Sequence, residues 1–100
     1  MVNFQGTPLS LTGTTTGTVD VIAAGNHLYH AAQVVHTVGA SAFAITLKGS
    51  LVSASGPWET IASMNTNNDI LQFSGIYRFI LVTVDTLTAT EEVVIHYAGL

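Results

Sequence analysis

Residues 76–84 read Ile-Tyr-Arg-Phe-Ile-Leu-Val-Thr-Val and form the longest nearly apolar stretch of the chain. Successive side chains of a β-strand point to opposite faces of the sheet. Here both faces are apolar, with Phe79 and Leu81 on one and Ile80 and Val82 on the other. The pattern therefore predicts a strand that is covered on both faces. One cover is the core, and we predict that the other is a second subunit, with Ile80 and Val82 as interface candidates.

Segments of the same kind lie on both sides of this strand. They are rich in Thr, Val and Ile, and Gly or Asn clusters separate them at the spacing of about eight to twelve residues that is typical of an all-β sandwich or barrel. Residues 42–51 alternate most clearly: we expect Ile45, Leu47 and Leu51 on the core side, and the polar side, with Thr46 and Ser50, to face solvent. With the N-terminal segment, about 7–8 strands are expected. The strand-like segments are 19–22, 27–38 (ended by Gly39-Ala40-Ser41), 42–51, 58–62, 70–73, 76–84 and 92–98.

Residues 2–11 precede these strands and contain Gly6 and Pro8. Because proline cannot donate a hydrogen bond to a β-ladder, the segment is predicted to be an extended N-terminal arm or an edge strand. Two placements are open: the arm pairs with a neighbouring subunit by β-augmentation, or it folds back onto its own sandwich. For the first placement the interface candidates are the apolar side chains Val2, Phe4, Leu9 and Leu11.

The composition indicates one domain, residues 1–100, with a weakly charged surface. Charged residues make up 8% of the chain, against roughly 25% in an ordinary soluble domain. Their place is taken by 14 Thr, 7 Ser, 5 Asn and 3 Gln. Such a surface suits a protein that packs against copies of itself or against a partner, because close-packed charges repel each other or must be desolvated.

Charge and length also exclude several classes of protein. Two cations, Lys48 and Arg78, stand against six acidic residues and give a net charge of −4, so we expect no nucleic-acid partner. The stretch 76–84 is far shorter than the roughly 20 residues of a membrane-spanning helix, and residues 1–6 lack the pattern of a secretory signal. We therefore expect no membrane association. The chain has no cysteine, which excludes disulfides, thiol catalysis and cysteine-based zinc sites.

The side chains that most often carry chemistry form no site in the sequence. His27 and His30 fall on opposite faces of a strand, and His30 and His36 are about 20 Å apart at roughly 3.3 Å per residue, so no metal ion is expected. Glu91 and Glu92 are adjacent and also face opposite ways. No nucleophile elbow and no phosphate-binding loop is present. We expect no catalytic residue, no cofactor and no enzyme activity.

Trp58 is the aromatic residue with a candidate ligand role. It follows Gly56-Pro57, where its ring would be an exposed platform for a sugar. The alternative is that the ring closes one end of the sandwich core, which is the commoner place for a tryptophan.

Two parts of the sequence carry a resemblance to a known group of proteins. The first is Ile-Thr-Leu-Lys-Gly-Ser-Leu at 45–51, followed by Trp-Glu-Thr-Ile at 58–61. The second is the run 75–84 with the later segments 86–88 and 93–97. Together they resemble small β-sandwich modules of tailed-phage virion proteins, and discoidin-like and carbohydrate-binding jelly rolls share much of the pattern. The resemblance spans about residues 27–98 and implies a single antiparallel β-sandwich of jelly-roll type. The chain departs from it at 52–56, where many relatives carry an Asp-Gly turn.

Among virion proteins of this size, the resemblance implies a capsid decoration or cement protein. Such a protein would bind between subunits of the major capsid protein, as a homo-oligomer for which a trimer is favoured. It would be made in the host cytoplasm and lie on the capsid exterior. Two alternatives stay open: a glycan-binding module of a tail or fibre, with Trp58 in the binding groove, and a head–tail connector or tail-tube component that forms closed rings.

Overall fold

The computed structural model describes residues 1–38 and 41–100, and of residues 37 and 38 only the backbone. The strand end predicted at Gly39-Ala40-Ser41 therefore lies mostly outside the described residues. The described part contains no helix, and so none that is long and apolar enough to cross a membrane. Its strands are β1 (Val2–Asn3), β2 (Leu9–Gly13), β3 (Gly17–Ala23), β4 (Tyr29–Val38), β5 (Ala44–Ser50), β6 (Glu59–Met64), β7 (Ile70–Ser74), β8 (Phe79–Thr86) and β9 (Glu92–Gly99).

These strands form two sheets with the connectivity of a jelly roll. One sheet has the order β1-β3-β8-β5-β6 and the other has the order β2-β9-β4-β7. The chain crosses between the sheets at most connections, so strands that are distant in sequence lie side by side, as in the paired Greek keys of a jelly roll. All pairings are antiparallel except the short pairing of β1 with β3. The predicted all-β sandwich of jelly-roll type is confirmed, with nine strands in the described residues instead of about 7–8, because the N-terminal segment contributes two short strands and not one.

Strand β8 lies in the middle of its sheet, between β3 and β5. Its side chains Ile80 and Val82 are 0% exposed and belong to the hydrophobic core between the two sheets. The prediction that they form a subunit interface is therefore wrong, because the second sheet of the same chain covers them. The outer face of β8 carries Phe79 and Leu81, which are half-buried. That face, and not the predicted one, is open to a partner.

The N-terminal segment is not an extended arm in this fold. It contributes β1 to one sheet and β2 to the other, so it folds back onto its own sandwich. Phe4 and Leu11 are 7% and 9% exposed and lie in the core. Val2 and Leu9 are half-buried and pack against that core. The prediction that these four side chains form a subunit interface is therefore corrected: they pack within their own chain, where the burial of apolar surface stabilises the sandwich.

Candidate interaction surface

The large apolar side chains that are exposed in the described residues are concentrated at one end of the sandwich. The connections 24–28, 51–58 and 75–78 and the end of β9 all lie there, because each joins or ends strands that stop at that end. We call this region the apolar end. Its exposed members are Leu28 (46%), Tyr29 (59%), Leu51 (58%), Val52 (67%), Ile76 (54%) and Leu100 (85%).

Backbone hydrogen bonds hold these separate segments together. The N–H of Gly75 donates to the carbonyl of Leu28 at 2.9 Å, and the N–H of Tyr29 donates to the carbonyl of Leu100 at 3.1 Å. The N–H of Ala24 donates to the carbonyl of Arg78 at 2.9 Å. These hydrogen bonds join the segments of the apolar end, which follow strands of both sheets, through their backbones.

The opposite end of the sandwich has a different chemistry. Its described connections 14–16, 65–69 and 87–91 are rich in Thr and Asn, and Asp69, Asp85 and Glu91 lie in or beside them. At the apolar end, Arg78 is exposed, with its guanidinium carbon 5.7 Å from the ring centre of Phe79. The two ends therefore differ in polarity, and the apolar end carries charges of both signs, since Glu59 is exposed at the start of β6 there.

Two cavities open at the apolar end. The larger, of about 480 Å³, is lined by Tyr29, Phe73 and Leu100 among others. Its wall contains His30 but no Asp, Glu, Lys or Arg side chain. The smaller, of about 380 Å³, is lined by aromatic, apolar and hydroxyl side chains and by the carboxylate of Glu59. Trp58 lies in the wall of this smaller cavity and is half-buried.

The smaller cavity depends on a glycine beneath one of its aromatic rings. A Cβ atom on Gly49 would lie 2.3 Å from Cδ1 of Tyr77, which is closer than packed atoms allow. The absence of a side chain at Gly49 therefore lets the Tyr77 ring pack directly against β5. Tyr77 thereby lines the cavity beside Trp58.

A buried hydrogen-bonded histidine supports the apolar end from inside. The Nε2–H of His30 donates to the carbonyl of Gly75 at 2.7 Å, because a carbonyl can only accept. In the neutral ring Nδ1 is then the acceptor for the hydroxyl of Tyr97, at 2.6 Å. The His30 ring also stacks on Phe73, with ring centres 4.8 Å apart. The network ties β4, β7 and β9 to the connection 75–78.

Tyr97 makes the free energy of unfolding depend on pH in the alkaline range. Burial raises the pKa of Tyr97 to about 12 from its ordinary 10.0, since a buried phenolate loses its hydration. Its contribution to the free energy of unfolding is fully present below pH 10.0 and is lost as the pH rises towards 12, because the unfolded chain releases the proton first. We expect Tyr97→Phe to reduce this loss by on the order of 1–2 kcal/mol in urea unfolding across that range. Tyr29→Phe, at an exposed site, is the control, and equal pH profiles for Tyr97→Phe and the wild type would contradict the assignment.

The other histidines also have partners within the chain. His36 Nε2 lies 2.8 Å from Glu91 Oε1, His96 Nδ1 lies 2.8 Å from the hydroxyl of Ser10, and His27 hydrogen-bonds the carbonyl of Ala24. Among the described residues, no group of three or more His, Cys, Asp or Glu side chains is arranged to hold a metal ion. Each of the four histidines makes a hydrogen bond within the chain.

Sequence reasoning missed the apolar end. Its members come from three connections, from the start of β4 and from the residue that follows β9, so no periodic pattern links them. The adjacent pair Leu51-Val52 was the available signal, since two neighbouring apolar residues in a loop are not needed for a turn. The alternation of 42–51 had instead assigned Leu51 to the core side, whereas β5 ends at Ser50.

Comparison with known proteins confirms the fold. No protein-family model and no curated protein matches the chain. Among solved structures, it is similar to a mitogen derived from Yersinia pseudotuberculosis, with a TM-score of 0.67 and 12% identity over 94% of this chain and 86% of that one. It is also similar to the SPBc2 prophage-derived protein YomS, with a TM-score of 0.66 and 10% identity over 97% of this chain and 98% of the other. At such identities the likeness shows a shared all-β fold.

Proposed function

We propose that the protein is a structural component of a bacteriophage particle, a decoration or cement protein that binds major capsid subunits through its apolar end. The observation that carries this proposal is the gathering of exposed apolar side chains at one end of a weakly charged sandwich. A prophage-derived protein with the same fold over nearly the full length of both chains supports a phage setting. The resemblance of residues 27–98 to virion modules points the same way.

The apolar end has the composition of a binding surface. Interface centres are depleted of charge and enriched in aromatic residues and arginine, and Tyr29 and Arg78 lie among the exposed aliphatic side chains here. Burying apolar surface contributes roughly 25 cal/mol per Å², so a capsid subunit with a complementary apolar site would gain affinity from this end. The Thr- and Asn-rich end would then face solvent on the capsid exterior, where hydroxyl and amide groups are well hydrated.

A double substitution at the apolar end tests this docking mode. We expect Leu51→Asp combined with Val52→Asp to reduce loading onto expanded capsids at least tenfold, because two charges would have to be desolvated at the contact. Both side chains are more than half exposed, so the melting temperature of the free protein should change little. Loading is measured by co-sedimentation of the purified protein with capsids that lack it. The matched control is Thr14→Asp combined with Thr15→Asp, which adds the same two charges at exposed positions of the opposite end.

The same experiment tests the function itself. A wild-type protein that loads and raises the melting temperature of the capsids supports cementing, since a ligand stabilises the state that it binds. A wild-type protein that does not sediment with capsids overturns the proposal. Equal loading of the wild type and the double variant keeps the function but rejects the apolar end as the docking surface.

The cavity beside Trp58 favours a second candidate function, a glycan-binding module of a tail or fibre. Two aromatic side chains, hydroxyl groups and the carboxylate of Glu59 converge on about 380 Å³, and convergent polar groups in a mostly apolar pocket are typical of small-molecule sites. A protein that ignores capsids but binds a glycan array, with Trp58→Ala abolishing the binding, would establish this function in place of the first.

A further inference from the structure

Strand β7 is a free edge of the four-stranded sheet, and its outward-pointing backbone groups are identified by its pairing with β4. The N–H of Gly75 donates to the carbonyl of Leu28 at 2.9 Å, and the N–H of Val34 donates to the carbonyl of Asp69 at 3.3 Å. These two hydrogen-bonded pairs continue the register of the β4–β7 ladder at its two ends. Hydrogen-bonded pairs alternate along an antiparallel ladder. The pairs that include Leu71 and Phe73 therefore bond to β4, and the N–H and C=O groups of alternate residues point to the open edge, namely those of Ile70, Gln72 and Ser74.

This edge lacks the features by which proteins protect free strands. Charged residues, proline and bulges prevent edge-to-edge pairing, and β7 reads Ile-Leu-Gln-Phe-Ser with no shift in its register against β4. The other edges of the described sheets differ. β6 begins at Glu59 and its pairing has a bulge, Pro8 directly precedes β2, and β1 has two residues.

We propose that β7 pairs antiparallel with β7 of a second copy of the chain, about a twofold axis that passes between the two Gln72 residues. In this register Gln72 lies opposite Gln72 of the second copy, and Ile70 lies opposite Ser74. All the outward N–H and C=O groups of the three residues then exchange hydrogen bonds, and none is left without a partner. The two four-stranded sheets become one continuous sheet across the axis.

The side chains of β7 suit the same register. Leu71 and Phe73 are partly buried against the core, with one side open at the edge of the sandwich. Across the axis Leu71 meets Phe73 of the second copy, an aliphatic–aromatic pair of the kind that stabilises antiparallel strands. On the outer face Ile70 is 57% exposed and Tyr29, beside Ser74, is 59% exposed. Pairing would cover apolar surface on both faces of the sheet.

This proposal goes beyond capsid binding and does not depend on it. It assigns a twofold contact to one sheet edge, whereas the resemblance to decoration proteins favours a trimer. Tyr29 belongs to both surfaces, but Leu51 and Val52, which the docking test changes, lie in the connection between β5 and β6 of the other sheet and are not part of the β7 edge. The two tests therefore change different residues and measure different properties, capsid loading and mass in solution, so that failure of one proposal is distinguishable from failure of the other.

The test is the mass in solution of purified full-length variants, by light scattering after size-exclusion chromatography. The wild type is expected at twice the 10.5 kDa mass of the chain. Gln72→Lys and Gln72→Glu each place like charges directly opposite across the axis, and each should shift the protein to the monomer mass. An equimolar mixture of the two variants should return to twice the chain mass, because opposite charges then face each other.

Thr12→Lys is the matched control, since it adds the same charge to the exposed side of β2 at the other edge of the same sheet. It should leave the dimer intact. A monomeric or trimeric wild type overturns the proposal, and so does a dimer that Gln72→Lys does not disrupt. Recovery of the dimer in the mixture also shows that both Gln72 variants are folded, so that loss of the fold is separated from loss of the contact.

Discussion

Val82→Asp is expected to unfold the protein, whereas Leu81→Asp, at the neighbouring position of the same strand, is expected to leave it folded. Val82 is 0% exposed between two sheets, and no cation is among the core residues around it. Moving a carboxylate there costs several kcal/mol even after relaxation. The substitution also removes apolar contacts, and a domain of this size is stable by only about 5–15 kcal/mol.

Leu81 tests the other face of β8. Its side chain lies on the outer side of the sheet and is half-buried, so a carboxylate there stays in contact with water. The expected cost is about 1–2 kcal/mol. Far-UV circular dichroism and urea unfolding of the two variants measure the difference. A folded Val82→Asp would contradict the core assignment, and an unfolded Leu81→Asp would mean that the outer face is also essential to the single chain.

His36→Leu is expected to lower the free energy of unfolding by about 3–5 kcal/mol, because it leaves a buried acid without its partner. The side chains of His36 and Glu91 are 4% and 10% exposed, and their Nε2 and Oε1 atoms are 2.8 Å apart. The His36 ring also packs on Phe43, with ring centres 4.8 Å apart. Leucine retains much of this apolar contact but offers no hydrogen-bond donor to Glu91.

A double-mutant cycle separates the lost pairing from the lost packing. Glu91→Gln keeps an acceptor oxygen beside His36 and should cost about 1 kcal/mol. Combining His36→Leu with Glu91→Leu removes both polar groups and should recover much of the stability that His36→Leu loses. Chemical denaturation at neutral pH measures all four proteins. Additive effects in the double variant would show that the two side chains do not interact in solution.

The strands were predictable because alternation is a local property of the chain. The segments 42–51, 70–73 and 92–98 correspond closely to β5, β7 and β9. The alternation within 42–51 placed Ile45 and Leu47 correctly on the core side. It did not show that the polar side is covered: Thr46 and Ser50 are 9% and 4% exposed. The hydroxyl of Thr46 hydrogen-bonds Asp85 on the neighbouring strand β8, a contact between residues 39 positions apart.

The candidate sites were less predictable, since each depends on which segments meet. Both alternating sets of side chains on β8 are apolar, so the sequence had no means of telling the core face from the outer face. The position of β8 between β3 and β5, with the second sheet against one face, decided it. The N-terminal segment posed the same problem, because its apolar residues suit a neighbour and its own sandwich equally well.

By itself, the sequence determined an all-β domain with few charges, its main strands and the absence of a recognisable catalytic motif, because composition and alternation are properties of neighbouring residues. The tertiary structure alone decided which face of β8 is core, where the N-terminal segment lies, and that exposed apolar side chains from separate connections gather at one end. It also decided that β7 is an open edge. The physical reason is that burial and edge exposure depend on contacts between residues far apart in the chain, which a jelly roll creates by crossing repeatedly between its two sheets.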